Sequence, residues 1–294
     1  MNISIVYPFI YLVLGIFISK SGLDDKHNIK GYVSALLMRL FIPAVIIYNI
    51  AYHEPGVFMI MIATALIMFV MLYIGLKIYK DSVVALCYSF INIGWFGLPI
   101  TMALYGDHGA MAIIPAYVAT SILGNAVGAG VLHHEKGIWI KIRKIIVSFP
   151  FIAFVIGLAC SPFVGSIQYL FETPYHYAKL GTSFFGMLIL GIWIGKTKLS
   201  EYKFKQGILL TLNRIIVFSL LMSFLIALGF FLKVHLITSN IKVLYLIGLL
   251  PPAANIIVLE TYHLERGHSA PIIATGTLIS IVLVLVYAMA VLYV

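Results

Sequence analysis

Two stretches of this 294-residue chain bring together residue types that could hold an anion. The first reads Tyr88-Ser-Phe-Ile-Asn92-Ile-Gly94-Trp-Phe-Gly97-Leu-Pro99 and sets an amide, two glycines and a proline inside an apolar run. The second reads Leu249-Leu-Pro251-Pro252-Ala-Ala-Asn255. Proline removes a backbone donor and clashes with the preceding turn. Each run is therefore expected to end one half-helix and begin another with proline in its first turn. In hydrocarbon the freed carbonyl and N–H groups are costly unless protein, water or a ligand satisfies them, so such breaks line a cavity or lie buried. A half-helix N-terminus carries about half a positive charge and uncapped N–H donors, which suits a carboxylate. The alternative for the same residues is that they only kink and pack helices, as prolines and glycines do in many membrane proteins.

The elements that must position these breaks are read from the apolar runs. The chain is 62% apolar and 10% charged, against soluble averages of about 45–50% and about 25%. A span takes about 20 residues, so ten spans use about 200 and leave little for any extramembrane domain. A soluble enzyme, a nucleic-acid-binding protein and an anchored globular domain are excluded on that ground. The formal charge is +9, but the 19 basic residues are scattered in small groups between apolar runs, as topology signals are. Cys87 and Cys160 lie in apolar segments without nearby His or acid, so neither a zinc site nor a disulfide framework is expected, and no cofactor is implied.

The expected spans are Ile3–Ser19, Gly31–Ala51, Val57–Tyr79, Val83–Tyr105, Ala110–Leu132, Ile145–Phe163, Tyr177–Gly195, Ile208–Leu232, Val243–Tyr262 and Ser269–Tyr293. The first run follows no basic residue and precedes no cleavage signal, so it reads as a span rather than a signal peptide. With the N-terminus outside, the inner loops hold fourteen basic residues and the outer loops only Lys179, Lys233 and Lys242. That asymmetry predicts a multi-pass protein of the cell membrane with both termini outside. The basic stretch around 136–144 divides a first five-helix repeat, 1–135, from a second, 145–294. Five is odd, so the second half enters from the opposite side, as in the inverted repeats of secondary transporters. Pro8 and Pro150 stand early in the first span of each half, and the fourth span of each half is interrupted by proline. The expected fold is an all-α integral membrane protein of ten helices, a 5+5 inverted repeat with helices four and nine broken.

The chain resembles the auxin efflux carrier family, in particular its bacterial malate and malonate permease-like members. The likeness rests on Arg39-Leu-Phe-Ile-Pro43, on the spacing of Asn92, Gly97 and Pro99, and on Pro251-Pro-Ala-Ala-Asn255. After these come Val258-Leu-Glu-Thr-Tyr262 and Thr275-Gly-Thr-Leu-Ile-Ser280 in the same order. The resemblance implies that spans four and nine cross at their breaks. It also implies that spans one, two, six and seven form a scaffold, often a homodimer, past which the other spans move. Asn92, Gly97 and Pro99 match the first crossover, and Pro251 and Asn255 the second. The long cytosolic loop of the plant proteins is absent here, and the Pro251-Pro252 doublet differs from their second motif. Neither regulation of that loop nor auxin as substrate is implied.

Other polar residues admit two readings each. Arg39 lies roughly 12 Å into span two at 1.5 Å per residue, where it either compensates a substrate anion or snorkels to headgroups and holds a carbonyl. Arg214 reads as a snorkelling anchor and Glu260 as a solvated group of the inner vestibule. Ser121 and Asn125, four apart, share a helix face, as do Thr277 and Ser280; either pair lines the cavity or forms interhelical hydrogen bonds. Gly181, Gly186, Gly191 and Gly195 read as a packing or sliding surface. No span has an acidic residue near its centre, which argues against an intramembrane aspartyl protease or a magnesium-dependent prenyltransferase. Adjacent His133 and His134 lack helical zinc-ligand spacing. The sequence thus predicts a non-enzymatic permease moving a small organic anion by alternating access, with Asn92, Gly94, Gly97, Pro99, Ser121, Asn125, Pro251, Pro252, Asn255 and Arg39 around the substrate. A membrane ligand sensor or channel-like protein using the same cavity is the alternative.

Overall fold

The computed structural model describes residues 6–132, 143, 146–264 and 268–292. The His133–Lys144 connection (apart from Arg143), Arg266 and the first residues of the Ile3–Ser19 span lie outside them, and the side chain of Asn125 is likewise not described. The described residues are mostly α-helical, without a strand. Helix α1 is Val6–Lys20 and α2 Leu23–His27; α3 runs over Ile29–Ala51 with a π-turn at Leu37–Phe41. Then come α4 (Val57–Tyr79), α5 (Ser82–Ser89), a π-turn Ile93–Gly97 and α6 (Leu98–Leu132), interrupted at Gly106 by a positive φ of 60°. The second half holds α7 (Phe149–Phe163), α8 (Val164–Lys196), α9 (Phe204–Phe231), α10 (His235–Ser239), α11 (Ile241–Leu249), α12 (Asn255–Leu264) and α13 (Ser269–Leu292).

Among the described residues, five helices are long and apolar enough to cross a membrane, namely α3, α4, the 171–196 part of α8, α9 and α13, while α1 and α7 are shorter but apolar. Side-chain placement agrees with lipid as solvent. On α9, Ile216, Leu220 and Phe224 form an exposed stripe at four-residue spacing, whereas Phe218 and Met222 are buried. The chain is an all-α, multi-pass membrane protein.

Packing sorts the helices into two groups. α1 lies along α8 so closely that a Cβ placed at Gly191 would stand 2.0 Å from the Leu12 carbonyl oxygen, and one at Gly15 2.1 Å from that of Leu188. The second half of α3, after its π-turn, packs on α7 in the same manner, where a Cβ on Gly157 would stand 2.9 Å from the Ile47 carbonyl oxygen. α8 also packs on α3, so α1, α3, α7 and α8 form one group. In the other, α4 packs on α5 and α6, and α9 on α11 and α13. The glycines of α8 therefore divide: Gly181, Gly191 and Gly195 pack within the first group, and Gly186 alone of the four meets the crossing, against the Trp95 backbone.

Contacts also join residues at like ends of the bundle. Lys196 bridges Asp24 (2.6 Å) and Asp25 (2.7 Å), while the Lys30 ammonium sits over the Trp193 ring. At the other end Lys179 pairs with Asp107, and the hydroxyls of Tyr105 and Tyr287 share a hydrogen bond.

Candidate functional site: two helix breaks that pair

The helix breaks fall where the proline-rich runs predict breaks, but the half-helices begin elsewhere. α11 stops because Pro251 and Pro252 have no N–H to continue it, and Leu250, before proline, is extended at φ −72°, ψ 154°. α12 then starts at Asn255. In the first break, Phe90 is extended and the new helix starts at Ile93, capped by Asn92, six residues ahead of Pro99. Pro99 and Pro251 are thus not the first-turn prolines the sequence predicts. Pro99 acts differently. It cannot donate to the Trp95 carbonyl, and the turn before it widens to i→i+5, with the Gly97 N–H reaching Asn92 O at 3.1 Å. Pro43 follows the π-turn of α3 at the same two-residue offset.

The two breaks pair with each other. The Asn92 N–H donates to the Pro251 carbonyl at 2.8 Å, and the Ala253 N–H donates to that of Phe90 at 2.9 Å, making an antiparallel bridge of Ile91 with Pro252. Backbone groups freed by one break are satisfied by the other. The Leu250 carbonyl is met by Nη2 of Arg214. Arg214 is therefore no snorkelling anchor: its exposure is 0%. A cation placed far from the headgroups is retained only where protein groups use it.

Beside the bridge lies a cleft with about 110 Å³ of space open to water. The start of each new half-helix borders it, through Ile93, Gly94 and Trp95 on one side and Ala253, Ala254 and Asn255 on the other. Facing them are Tyr117, Thr120 and Ser121 of α6, Met38 of the α3 π-turn and Pro150 of α7. Gly94 has no side chain because the Tyr117 ring occupies that place, 2.3 Å from a notional Cβ. The Oδ1 of Asn92 accepts the Trp95 N–H at 3.2 Å, while its Nδ2 has no hydrogen-bond partner although the residue is only 5% exposed. The Thr120 and Ser121 hydroxyls both donate to the Tyr117 carbonyl, which leaves only their oxygens to face a ligand. No Lys, Arg, Asp or Glu is among the lining residues. The cleft thus offers an unpartnered amide donor and two positive helix ends in apolar, aromatic surroundings.

Of the residues singled out by sequence, Asn92, Gly94, Ser121 and Asn255 border this cleft. Gly97 is buried behind it, where a Cβ would stand 2.5 Å from Leu250 Cδ1. Pro251 and Pro252 form the bridge itself. Pro99 belongs to a separate pocket of about 350 Å³ at the opposite end, with Pro8, Tyr11, Asp107 and Lys179. Arg39 is exposed and does not line the cleft, so its expected place beside the substrate is not where the structure puts it. Glu260, expected to be solvated, is fully buried and accepts from the N–H groups of His268 and Ser269 and from the Ser269 hydroxyl, capping α13. The hydroxyls of Ser121 and Thr277 bond carbonyls of their own helices rather than neighbouring ones. Tyr117, Trp95, Met38 and Pro150 were not singled out for the site. Tyr117 stands four residues before Ser121, so the helical period that picked Ser121 also reaches it.

No protein-family model and no curated protein matches the chain.

Proposed function

We propose that this protein is a secondary transporter that moves a small organic anion across the cell membrane by alternating access, with the paired breaks as its binding site. The observation that carries the reading is the reciprocal pair of hydrogen bonds between Asn92 and Pro251 and between Ala253 and Phe90. It sets two helix N-termini and the Asn92 amide around one cleft, an arrangement suited to a carboxylate.

An inverted repeat of ten spans, with 1–135 and 145–294 as its halves, accounts for the reciprocity. In each half the crossing residue accepts with the carbonyl before it and donates with the N–H after it. The packing of α1 on α8 and of α7 on α3 is likewise the same pair of contacts with the halves exchanged. On this reading α1, α3, α7 and α8 form the scaffold and its dimer face, and the remaining helices move with the crossing. Pro150 borders the cleft and Pro8 the pocket at the opposite end, so each half contributes its early proline to one route of access. The fourteen-to-three distribution of basic residues puts the Lys196 end inside and both termini outside.

The lining favours one carboxylate on an apolar or aromatic body over a dicarboxylate. One amide and two half-charged helix ends can meet a single carboxylate, whereas a second would lie unpaired among Phe90, Ile91, Trp95 and Tyr117. Counterflow in proteoliposomes over a panel of mono- and dicarboxylates tests the function. A carrier exchanges labelled against unlabelled monocarboxylate; a sensor binds it without flux, and a channel shows no exchange coupling.

A further inference from the structure

Arg214 stands within α9 at 0% exposure, with Nη2 on the Leu250 carbonyl. Its Nε and Nη1 have no hydrogen-bond partner. The ion pairs of Asp24, Asp25 and Asp107 are made with Lys196 and Lys179 of α8, not with Arg214. A guanidinium stays protonated in proteins, so a permanent positive charge sits at the crossing, away from water.

Architecture alone does not call for that charge. The neighbouring freed carbonyls, of Phe90 and Pro251, are met by neutral backbone N–H groups. In the first half, α4 takes the place that α9 has in the second, and its buried residues are apolar apart from Thr64 and Gly75. The charge is therefore peculiar to one half, and an uncompensated buried cation is destabilising unless an anion offsets it. The chain from Leu250 to Ala253, at the edge of the cleft, is three residues of extended backbone, about 10 Å at most. Allowing for the side chain, the guanidinium lies roughly 10–15 Å from a ligand in the cleft. At an effective dielectric near 20 this distance corresponds to roughly a six- to sixteenfold effect on the affinity of a monovalent anion.

We propose that Arg214 is the counter-charge of the transported anion: it acts across the crossing without touching the ligand, and it sets the preference for a carboxylate over a neutral molecule of the same shape. This rests on the reading of the cleft as the anion site. Arg214 is a positioning residue through its bond to Leu250 and a selectivity residue through its charge, and only the second role distinguishes an acid from its amide.

The test measures binding to purified protein of phenylacetate and isovalerate, each against its own carboxamide. The parent prefers the acid about fivefold or more. Arg214→Lys keeps most of that preference. Arg214→Gln still presents a donor to the Leu250 carbonyl, yet its acid-to-amide ratio falls toward one while its amide affinity is retained. A glutamine variant that binds both ligands with the parent's ratio overturns the proposal. Where that variant does not accumulate, the lysine variant decides: a retained ratio supports the counter-charge, and a lost ratio at parental thermal stability overturns it. A parent that binds none of the four overturns the anion-site reading, and this inference with it; a parent that binds acid and amide equally overturns the inference alone.

Discussion

Asn92 does two jobs with the two ends of one amide. Its Oδ1 must face the Trp95 N–H, because only an oxygen can accept there, and this orientation leaves Nδ2 buried at the wall of the cleft without a partner. Asn92→Ala removes both. The loss of the cap lowers stability by about 0.5–2 kcal/mol, and the loss of the donor weakens anion binding by about 1–3 kcal/mol, roughly fivefold or more in affinity. Thermal melts and binding isotherms on the same purified variant separate the two; a variant that only melts earlier assigns the residue to packing. Ser121→Ala is expected to change affinity little, since its hydroxyl proton is already committed to Tyr117.

On the proposed alternating-access reading, close helix approach separates fixed from moving contacts. A Cβ at Gly191 would stand 2.0 Å from the Leu12 carbonyl oxygen, within the α1–α8 pair, and one at Gly186 2.9 Å from that of Trp95, on the crossing. Gly191→Ala should therefore force α1 away from α8 and lower stability by about 1–3 kcal/mol. Gly186→Ala should instead slow exchange in vesicles more than it lowers the melting temperature, because its clash lies between scaffold and crossing. Equal melting losses with unaltered exchange for Gly186→Ala would place the sliding surface elsewhere. The helices themselves were largely legible in the sequence: Val57–Tyr79 is one apolar run and one helix, and both breaks lie at the proline and glycine clusters. Helix starts were less so. Pro251 and Pro99 suggest first-turn positions, but paired extended segments moved the starts to Asn255 and Ile93, and such pairing depends on residues 160 positions apart. Contacts between helices, at shorter separations, likewise hid Arg214, whose partner Leu250 follows the end of another helix, and Glu260, whose donors His268 and Ser269 stand at the start of the next. Arg39 misled for the converse reason, since sequence gives depth along a helix but not which face a lone cation occupies.

The bundle as a whole is tied at its basic end by Asp24, which accepts from the Lys30 N–H at 2.6 Å and pairs with Lys196, joining the α2 turn and the starts of α3 to the end of α8. Burial pushes the Asp24 carboxyl up, but the hydrogen bonds from Lys196 and Lys30 outweigh it and hold the group below its ordinary 3.8. A carboxylate with a depressed pKa stabilises the fold fully above the ordinary value and loses that contribution as the pH falls through the depressed one. Melting temperature in detergent should therefore drop between about pH 5 and pH 3, and Asp24→Asn should flatten that part of the profile and lower stability at pH 7 by about 1.5–3 kcal/mol. At the other end, the Asp107–Lys179 pair links the crossing helix to the scaffold beside Gly106, whose positive φ gives the chain its turn. The central claim is that the paired breaks are the anion site of a carrier. Asn92→Asp tests it most directly, because aspartate keeps the oxygen that caps Trp95 but sets a negative acceptor in place of the unpartnered amide donor at the cleft wall. With parent and variant reconstituted at equal density, counterflow of labelled phenylacetate or isovalerate is predicted for the parent and a fall of about tenfold or more for the variant. Exchange by the variant at the parent's rate would contradict the account, as would a parent that exchanges no carboxylate at all.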